Sequence, residues 1–309
     1  MYNIRTDLAI ETREMYRAAK KIDDEITGVQ TDIDNSEEDI LITKVKITSD
    51  VAAEMLNKAK GEYITIEAPK LKNNDEEFNN RISEKLAKII KEITNLSADE
   101  TVLVVGLGNW DITADALGPK VVSHIELTRH LIEYVPQYVK EGTRPICAIS
   151  PGVLGTTGIE TGEIIKGIVE RVSPDILIVI DALASRKMER INTTIQISNT
   201  GIVPGSGVGN ARNAITQETM GVPVIAIGVP TVVEAAVIAN DALELLINKM
   251  QVEDGTSEVL QKLSGEDNYQ EIKSALLPKD YNFIVTPKEI DELIENMSNV
   301  IAEGINQAL

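Results

Sequence analysis

Short apolar runs separated by amphipathic stretches dominate the chain after residue 100. Continuous apolar runs of four to six residues are typical of strands that are buried on both faces of a parallel sheet. Helical periodicity between the runs predicts helices that cover this sheet. The pattern therefore predicts an α/β fold with a central, mostly parallel sheet flanked by helices. The four runs are TVLVVG (101–106), ICAIS (146–150), DILIVI (175–180) and VPVIAIG (222–228), and the intervening helices are expected over 121–133 and 161–172.

The first hundred residues follow a different pattern. ILITKVKI (40–47) and EYITIEA (62–68) alternate apolar and polar positions, as half-buried strands do. A helix is predicted between them over 51–60, and a longer amphipathic helix over 75–94. We interpret residues 8–100 as a small N-terminal α/β extension of a core formed by 101–309, both within one domain.

Three further segments differ in pattern from the regions around them. The charged first 36 residues predict a loosely attached segment with one helical piece over 13–24. INTTIQIS (191–198) alternates and predicts a mixed or edge strand. The polar stretch 251–280 is interpreted as a surface excursion.

Two capping signals predict where late helices begin. Thr231 precedes Glu234 by three residues, which is the spacing of a capping box, and predicts a helix that continues through Lys249. In TPKE, Pro287 is expected at the first position of the last helix.

Composition and charge argue against a nucleic-acid-binding, a disulfide-rich or a membrane protein. The formal net charge of −19 argues against direct nucleic-acid binding, because Lys and Arg side chains must displace counterions from the phosphates. The single cysteine, Cys147, excludes an internal disulfide framework and is typical of a reducing compartment. No signal pattern opens the sequence, and no apolar run approaches the roughly 20 residues that span a bilayer. We expect a soluble intracellular protein without membrane contact.

Common catalytic and cofactor motifs are incomplete in this sequence. The third glycine of a dinucleotide-binding motif after Gly106 and Gly108 would fall at Asp111. PGSGVGNAR (204–212) lacks the ending of a phosphate-binding loop, and Ser206 lacks the glycine spacing of a nucleophile elbow. These glycines are expected to let the backbone turn or approach a substrate. With two histidines and one cysteine in the chain, no zinc motif can be assembled, and we expect neither a metal nor a cofactor.

Two aspartates follow apolar strands and form the best candidate for chemistry. Asp115 follows the VLVVG run through a short loop, and Asp181 directly follows ILIVI, where we expect the strand to end. Reactive groups collect at the carboxyl ends of strands in open α/β sheets. Two aspartates brought together there would share a proton, so that one could activate water while the other polarised a carbonyl. The alternative is that each aspartate caps a turn or helix. The third DAL sequence, at Asp241, is expected in the middle of a helix on its solvated face and is not a candidate for chemistry.

The order of sequence blocks resembles the germination protease of spore-forming bacteria. That family is grouped with atypical aspartic proteases, and the two aspartates proposed to act there match Asp115 and Asp181. Its fold is similar to that of hydrogenase-maturation endopeptidases. Ala114 stands where the family usually has proline. The blocks include RTDLAIE (5–11), VVGLGN (104–109), DALGPK (115–120), TGIET (157–161), IDALASR (180–186), PGSGVGN (204–210) and VTPKE (285–289).

The resemblance implies a self-processing zymogen. The propeptide bond of the family matches Asp7–Leu8, so residues 1–7 are expected to form a propeptide that covers the substrate groove. The implied substrates are small acid-soluble spore proteins, degraded in the spore core during germination, and the implied assembly is a homotetramer.

Four further residues are candidates for the site, and two alternative functions remain open. Asn109 and the glycines Gly205, Gly207 and Gly209 are candidates for positioning the substrate. The alternatives are a metal-dependent peptidase of the hydrogenase-maturation type and a non-catalytic protein that binds spore proteins.

Overall fold

The computed structural model describes residues 6–22, 24–209, 212–251, 272 and 283–309. Most of the expected propeptide, residues 1–5, and nearly all of the expected surface excursion over 251–280 lie outside the described residues.

Four strands form the parallel half of one large sheet. All four apolar runs are strands: β4 Val102–Gly106, β5 Ile146–Ile149, β6 Ile176–Ser185 and β8 Val224–Glu234. They lie side by side in the order β5-β4-β6-β8, and each neighbouring pair is parallel. The predicted α/β fold with a parallel core is confirmed.

The other half of the sheet is antiparallel and contains the N-terminal extension. Its strands are β1 Val29–Glu37, β2 Ile40–Ile47, β3 Gly61–Glu67 and β7 Thr194–Ser198. The order β1-β2-β3-β7-β8 joins the two halves, and β7 pairs antiparallel with both β3 and β8. The INTTIQIS strand is therefore an antiparallel strand inside the sheet, and the prediction of a mixed or edge strand is wrong. A short strand β9, Ile284–Val285, pairs with the end of β8.

Helices cover both faces of the sheet. One face packs against α3, α4 and α10, and the other packs against α7 and α8. No helix within the described ranges is both long and apolar enough to cross a membrane. The helices are α1 Ala9–Lys20, α2 Asp50–Leu56, α3 Glu76–Thr94, α4 Leu117–Ser123, α5 Arg129–Tyr134, α6 Leu154–Thr157, α7 Thr161–Val172, α8 Gln217–Met220, α9 Ala235–Gln251 and α10 Ile290–Ala308.

The N-terminal segment is firmly packed, so the predicted loose attachment is wrong. Leu8 and Ala9 are completely buried, and α1 starts at Ala9 rather than near residue 13. Glu11 accepts hydrogen bonds from the backbone amides of Arg186 and Lys187, at 2.7 and 3.0 Å. These contacts fix α1 against the end of β6. The polar sequence over 29–37 also forms strand β1, because it pairs with β2.

Both predicted late helix starts are wrong, and one expected helix is divided. Pairing with β9 keeps the chain extended past Thr231, so that α9 begins at Ala235. The last helix α10 begins at Ile290, three residues after Pro287. The helix expected over 121–133 is interrupted between α4 and α5, where the amide of Thr128 donates to the carbonyl of Ile146 in β5.

Candidate active site

Asp181 lies inside strand β6 and not at its end, which corrects the expectation from the sequence. The strand continues to Ser185 because residues 182–185 remain paired with β8. Asp181 is only 6% exposed, and its Oδ1 accepts a 3.0 Å hydrogen bond from the amide of Ala182. Its direct partner on β8 is Gly228, whose partner on β7 is Gln196. Asp181 and Gln196 thus lie on one face of the sheet, roughly 10 Å apart, and the Leu183 side chain fills the space over Gly228 between them.

Asp115 approaches this region from the loop that follows β4. It ends a short 3-10 turn, Thr113–Asp115, just before α4. The amide of Asn109 donates to the carbonyl of Asp115 at 3.1 Å. Gly108 has a φ of +114°, and a Cβ there would come within 1.9 Å of the Asp115 carbonyl oxygen. The loop geometry that positions Asp115 therefore requires glycine at position 108.

The two carboxyl groups are electrostatically linked. Burial raises the pKa of Asp115 to about 6, against a lowering by the backbone amide of Asn109. Burial, followed by the negative charges of Asp115 and Asp7, holds the pKa of Asp181 well above its ordinary value. A negative charge on Asp115 therefore favours the protonated form of Asp181.

Asp7 is bound in a pocket between the end of β6 and the glycine-rich turn around Ser206. Its amide donates to the carbonyl of Ala184 at 3.0 Å, and its Oδ2 accepts from the amide of Ala184 at 2.9 Å. Its Oδ1 accepts a 2.7 Å hydrogen bond from Ser206 Oγ. A Cβ on Gly207 would come within 2.0 Å of Asp7 Oδ2, so glycine leaves the space that the carboxylate fills.

The peptide bond between Asp7 and Leu8 is held on both sides. The carbonyl oxygen of Asp7 accepts hydrogen bonds from Lys58 Nζ at 2.8 Å and from Gln196 Nε2 at 3.2 Å. Leu8 is completely buried and packs with Ile10 and Leu183. An acidic side chain, a carbonyl and an apolar side chain are thus each bound by a separate group.

A cleft of about 1210 Å³ opens beside this segment. Thr6, Asp7, Lys58, Gln196 and Gly228 are among the described residues that line it. The two aspartates of the pair are not among those lining residues. The cleft meets the pair at Gly228, the strand partner of Asp181, and at Asp7, whose charge acts on Asp181.

Within the described part of the chain, the other residues considered from the sequence do not bind the Asp7–Leu8 peptide through their side chains. Asn109 contacts Asp115 through its backbone, while its side-chain oxygen accepts from the amide of Asp111 at 3.0 Å. Gly205 and Gly209 flank the turn that carries Ser206, both in the left-handed backbone region. Asp241 lies in α9, where it accepts a 2.8 Å hydrogen bond from Arg186.

Sequence reasoning missed Lys58, Gln196 and Ser206 as contacts of this site. Gln196 had a weak signal, since an amide interrupts the apolar alternation of a buried strand. Ser206 was considered only as a nucleophile, and nothing in the sequence around Lys58 distinguishes it from other surface lysines.

Within the described ranges, no group of three or more His, Cys, Asp or Glu side chains is placed to hold a metal ion.

Comparisons with known proteins place the chain among spore proteases. The family described as germination protease matches residues 9–258 and 254–309. A germination protease of Caldanaerobacter subterraneus subsp. tengcongensis is 53% identical, over 99% of this chain and 94% of the relative. One from Clostridium perfringens is 50% identical over 100% of this chain and 96% of the relative.

A solved structure is similar to this chain at a much lower sequence identity. It is a [NiFe] hydrogenase maturation protease, HycI, from Thermococcus kodakarensis, 16% identical, covering 70% of this chain and 98% of its own. The TM-score of this match is 0.34.

Proposed function

The chain belongs to the germination protease family and is a protease, and from that membership we propose that it is a self-processing endopeptidase that degrades small acid-soluble spore proteins during germination. One observation carries the proposal: the Asp7–Leu8 peptide is bound beside the aspartate pair through contacts that a substrate would make. Its acidic side chain, carbonyl and apolar side chain each have a partner.

The pocket of Asp7 indicates which bonds the protease cuts. Ser206 Oγ and the amide of Ala184 bind a carboxylate, and the volume at Gly207 admits one. Charge-assisted hydrogen bonds of this kind select an anion over a neutral side chain. A substrate with an acidic residue before the cleaved bond and an apolar residue after it would occupy the positions of Asp7 and Leu8.

Asp115 and Asp181 act on water in this proposal. Asp115, with a pKa of about 6, is largely ionised at neutral pH and accepts a proton from water as its oxygen attacks the carbonyl carbon. Burial, followed by the charges of Asp115 and Asp7, raises the pKa of Asp181 and favours its protonated form, so that Asp181 is assigned the role of the acid. The two aspartates thus divide the acid and base roles according to their environments.

In this proposal residues 1–7 are a propeptide, of which Thr6 and Asp7 occupy the substrate groove. Thr6 and Asp7 line the cleft, and Asp7 fills the carboxylate pocket, so a second substrate chain would have to displace them. Cleavage after Asp7 frees that pocket, while Glu11 keeps α1 bound to the rest of the protein. The negative net charge lets the enzyme cut DNA-bound proteins without binding DNA itself. The homotetramer and the spore-core location remain part of the proposal through the family resemblance.

Cleavage of a purified small acid-soluble spore protein tests the proposal. We expect the wild-type chain to cut it after acidic residues, and Asp115→Asn and Asp181→Asn to lose at least about a thousandfold in rate. Asp111→Asn, a change at an exposed aspartate in the same loop, is the matched control and should cut normally. Full activity of either pair variant would contradict the aspartate mechanism, and binding without cleavage by the wild type would favour the non-catalytic alternative.

A further inference from the structure

We propose that Lys58 and Gln196 bind the carbonyl oxygen of the bond being cut and stabilise the negative charge that develops on it during hydrolysis. This inference rests on the proposed function and adds two catalytic residues to the aspartate pair. Both side chains donate to the same atom, the Asp7 carbonyl oxygen, at 2.8 and 3.2 Å.

The fold brings the two donors to this oxygen from separate elements. Helix α2 ends at Leu56, and its C-cap residue Asn57 has a left-handed backbone conformation. Lys58 is the next residue. The amide of Lys58 then donates to the carbonyl of Ala53 at 3.1 Å, which fixes the direction of the chain as it leaves the helix. Gln196 is fixed by pairing with β3 on one side and β8 on the other. Both donors are therefore in place before any reaction, as electrostatic stabilisation requires.

Gln196 is also oriented by a second contact with the same segment. Its Oε1 accepts a 2.7 Å hydrogen bond from the amide of Ala9, while its Nε2 donates to the carbonyl of Asp7. The amide side chain thus spans the Asp7–Leu8 bond, and its oxygen and nitrogen cannot exchange places without losing both contacts.

The position of Lys58 favours charge stabilisation over a surface role. Its side chain is half-buried, with Nζ close to the carbonyl oxygens of Thr6 and Asp7. Burial lowers the pKa of Lys58, and the charges of Asp7 and Glu11 act in the opposite direction. A partly desolvated ammonium group interacts more strongly with a developing negative charge than one in water.

With the carbonyl oxygen of Asp7 bound by Lys58 and Gln196, each proton transfer of the hydrolysis has a donor and an acceptor. Water adds to the Asp7 carbonyl carbon and its proton moves to Asp115, while the carbonyl oxygen gains the charge that Lys58 and Gln196 stabilise. As the C–N bond breaks, the proton of Asp181 moves to the Leu8 nitrogen. The products are a free carboxyl group on Asp7 and a free amino group on Leu8, and the pair has passed its proton from Asp181 to Asp115.

Self-cleavage of the full chain tests the inference. Loss of one donor to a developing oxyanion typically slows catalysis by about 100- to 1000-fold, which is the effect expected for Lys58→Met. Gln196→Glu keeps an acceptor for the Ala9 amide but replaces the donor to the Asp7 carbonyl with a carboxylate oxygen, and should be slowed by at least about 100-fold. Lys60→Met is the matched control, because Lys60 is a half-exposed lysine two residues away that pairs with Asp50. Its rate should equal that of the wild type.

A second measurement separates catalysis from tethering. In an Asp181→Asn background that does not cleave, we expect Lys58→Met to leave hydrogen-exchange protection of residues 8–11 unchanged. In the active background, propylammonium should raise the self-cleavage rate of Lys58→Ala at least about tenfold. Tetramethylammonium, which has no N–H donor, should leave that rate unchanged. Loss of protection without rescue would make Lys58 a tether and overturn the inference.

Failure of the inference and failure of the proposed function give different results. If Lys58→Met and Gln196→Glu cleave within about threefold of the wild type while Asp181→Asn is inactive, the carbonyl assignment is wrong and the aspartate mechanism stands. A wild-type chain that cleaves neither itself nor a spore protein overturns both.

Discussion

Ser206 and Asp7, separated by 199 positions in the chain, are joined by a 2.7 Å hydrogen bond from the serine hydroxyl to the carboxylate. A residue that sequence reasoning considered only as a nucleophile is thus a binding partner of the acidic side chain before the proposed cleavage site. This contact connects the glycine-rich turn to the N-terminal segment.

Ser206→Ala is expected to slow self-cleavage. A hydrogen bond to a charged group is worth about 1.5–3 kcal/mol, which corresponds to roughly 10- to 100-fold in rate if the contact is kept in the transition state. The rate of appearance of the processed chain measures the effect. Ser123→Ala, at the exposed last residue of α4, is the control, and an equal loss there would rule out a specific role for Ser206.

Gly207→Ala is expected to displace the Asp7 side chain. The new Cβ would lie within 2.0 Å of Asp7 Oδ2, and the carboxylate would have to leave its pocket. We predict near-complete loss of self-cleavage with little change in the unfolding midpoint. Gly155→Ala is a suitable control, since no atom lies within 4 Å of a Cβ at that position. A Gly207→Ala chain that processes normally would show that the pocket is not used.

The raised pKa of Asp115 predicts a dependence of stability on pH. Its folded-state pKa of about 6 exceeds the ordinary value of 3.8, so its contribution to stability is full below about pH 4 and is lost as the pH rises through 6. Relative to Asp115→Asn, the Asp115 chain should therefore lose roughly 1–1.5 kcal/mol of unfolding free energy between pH 5 and 7.5.

Urea unfolding in an Asp181→Asn background, which prevents self-cleavage, measures this difference. Asp111→Asn in the same background should show no such trend. If the difference in unfolding free energy between the chains with and without the Asp115→Asn change does not vary with pH, the assigned environment of Asp115 is wrong.

Arg190 is predicted to anchor helix α1 after the propeptide is removed. The guanidinium is 6% exposed and forms ion pairs with Glu11, Glu14 and Glu67, at 3.2, 2.8 and 2.9 Å. Arg190→Met leaves the buried carboxylate of Glu11 without its cation and should cost about 3–5 kcal/mol of unfolding free energy. Arg81→Met breaks an exposed pair with Glu37 and a cation–π contact with the Phe78 ring, and should cost less than about 2 kcal/mol. Equal costs would show that burial does not strengthen the Arg190 network.

The sequence predicted the parallel core well because its strands are apolar on both faces. It failed where pairing with another strand overrides local preference. Residues 29–37 are polar and form β1 only through β2, and Thr231 lies in a strand because β6 and β9 pair with the end of β8.

The candidate site was predictable only in part, for a related reason. Asp115 follows β4, and Asp181 follows the apolar run inside β6. Because β4 and β6 are neighbours in the sheet, the topology brings the two aspartates into the same region. Lys58 and Gln196 meet at the Asp7 carbonyl oxygen through contacts between distant elements. No local sequence pattern around Lys58 predicts its contact with the Asp7 carbonyl oxygen. The position of Gln196 is defined by the pairing of β7 with β3 and β8, which the sequence did not predict.

The N-terminal sequence of the wild-type chain after incubation tests the central claim most directly. Aspartate-pair cleavage of Asp7–Leu8 predicts a product that begins at Leu8 from the wild-type chain and from Asp111→Asn, and an intact Met1 from Asp115→Asn and Asp181→Asn. A product that begins at Leu8 from either pair variant at the wild-type rate would contradict the account, as would a wild-type chain that keeps Met1.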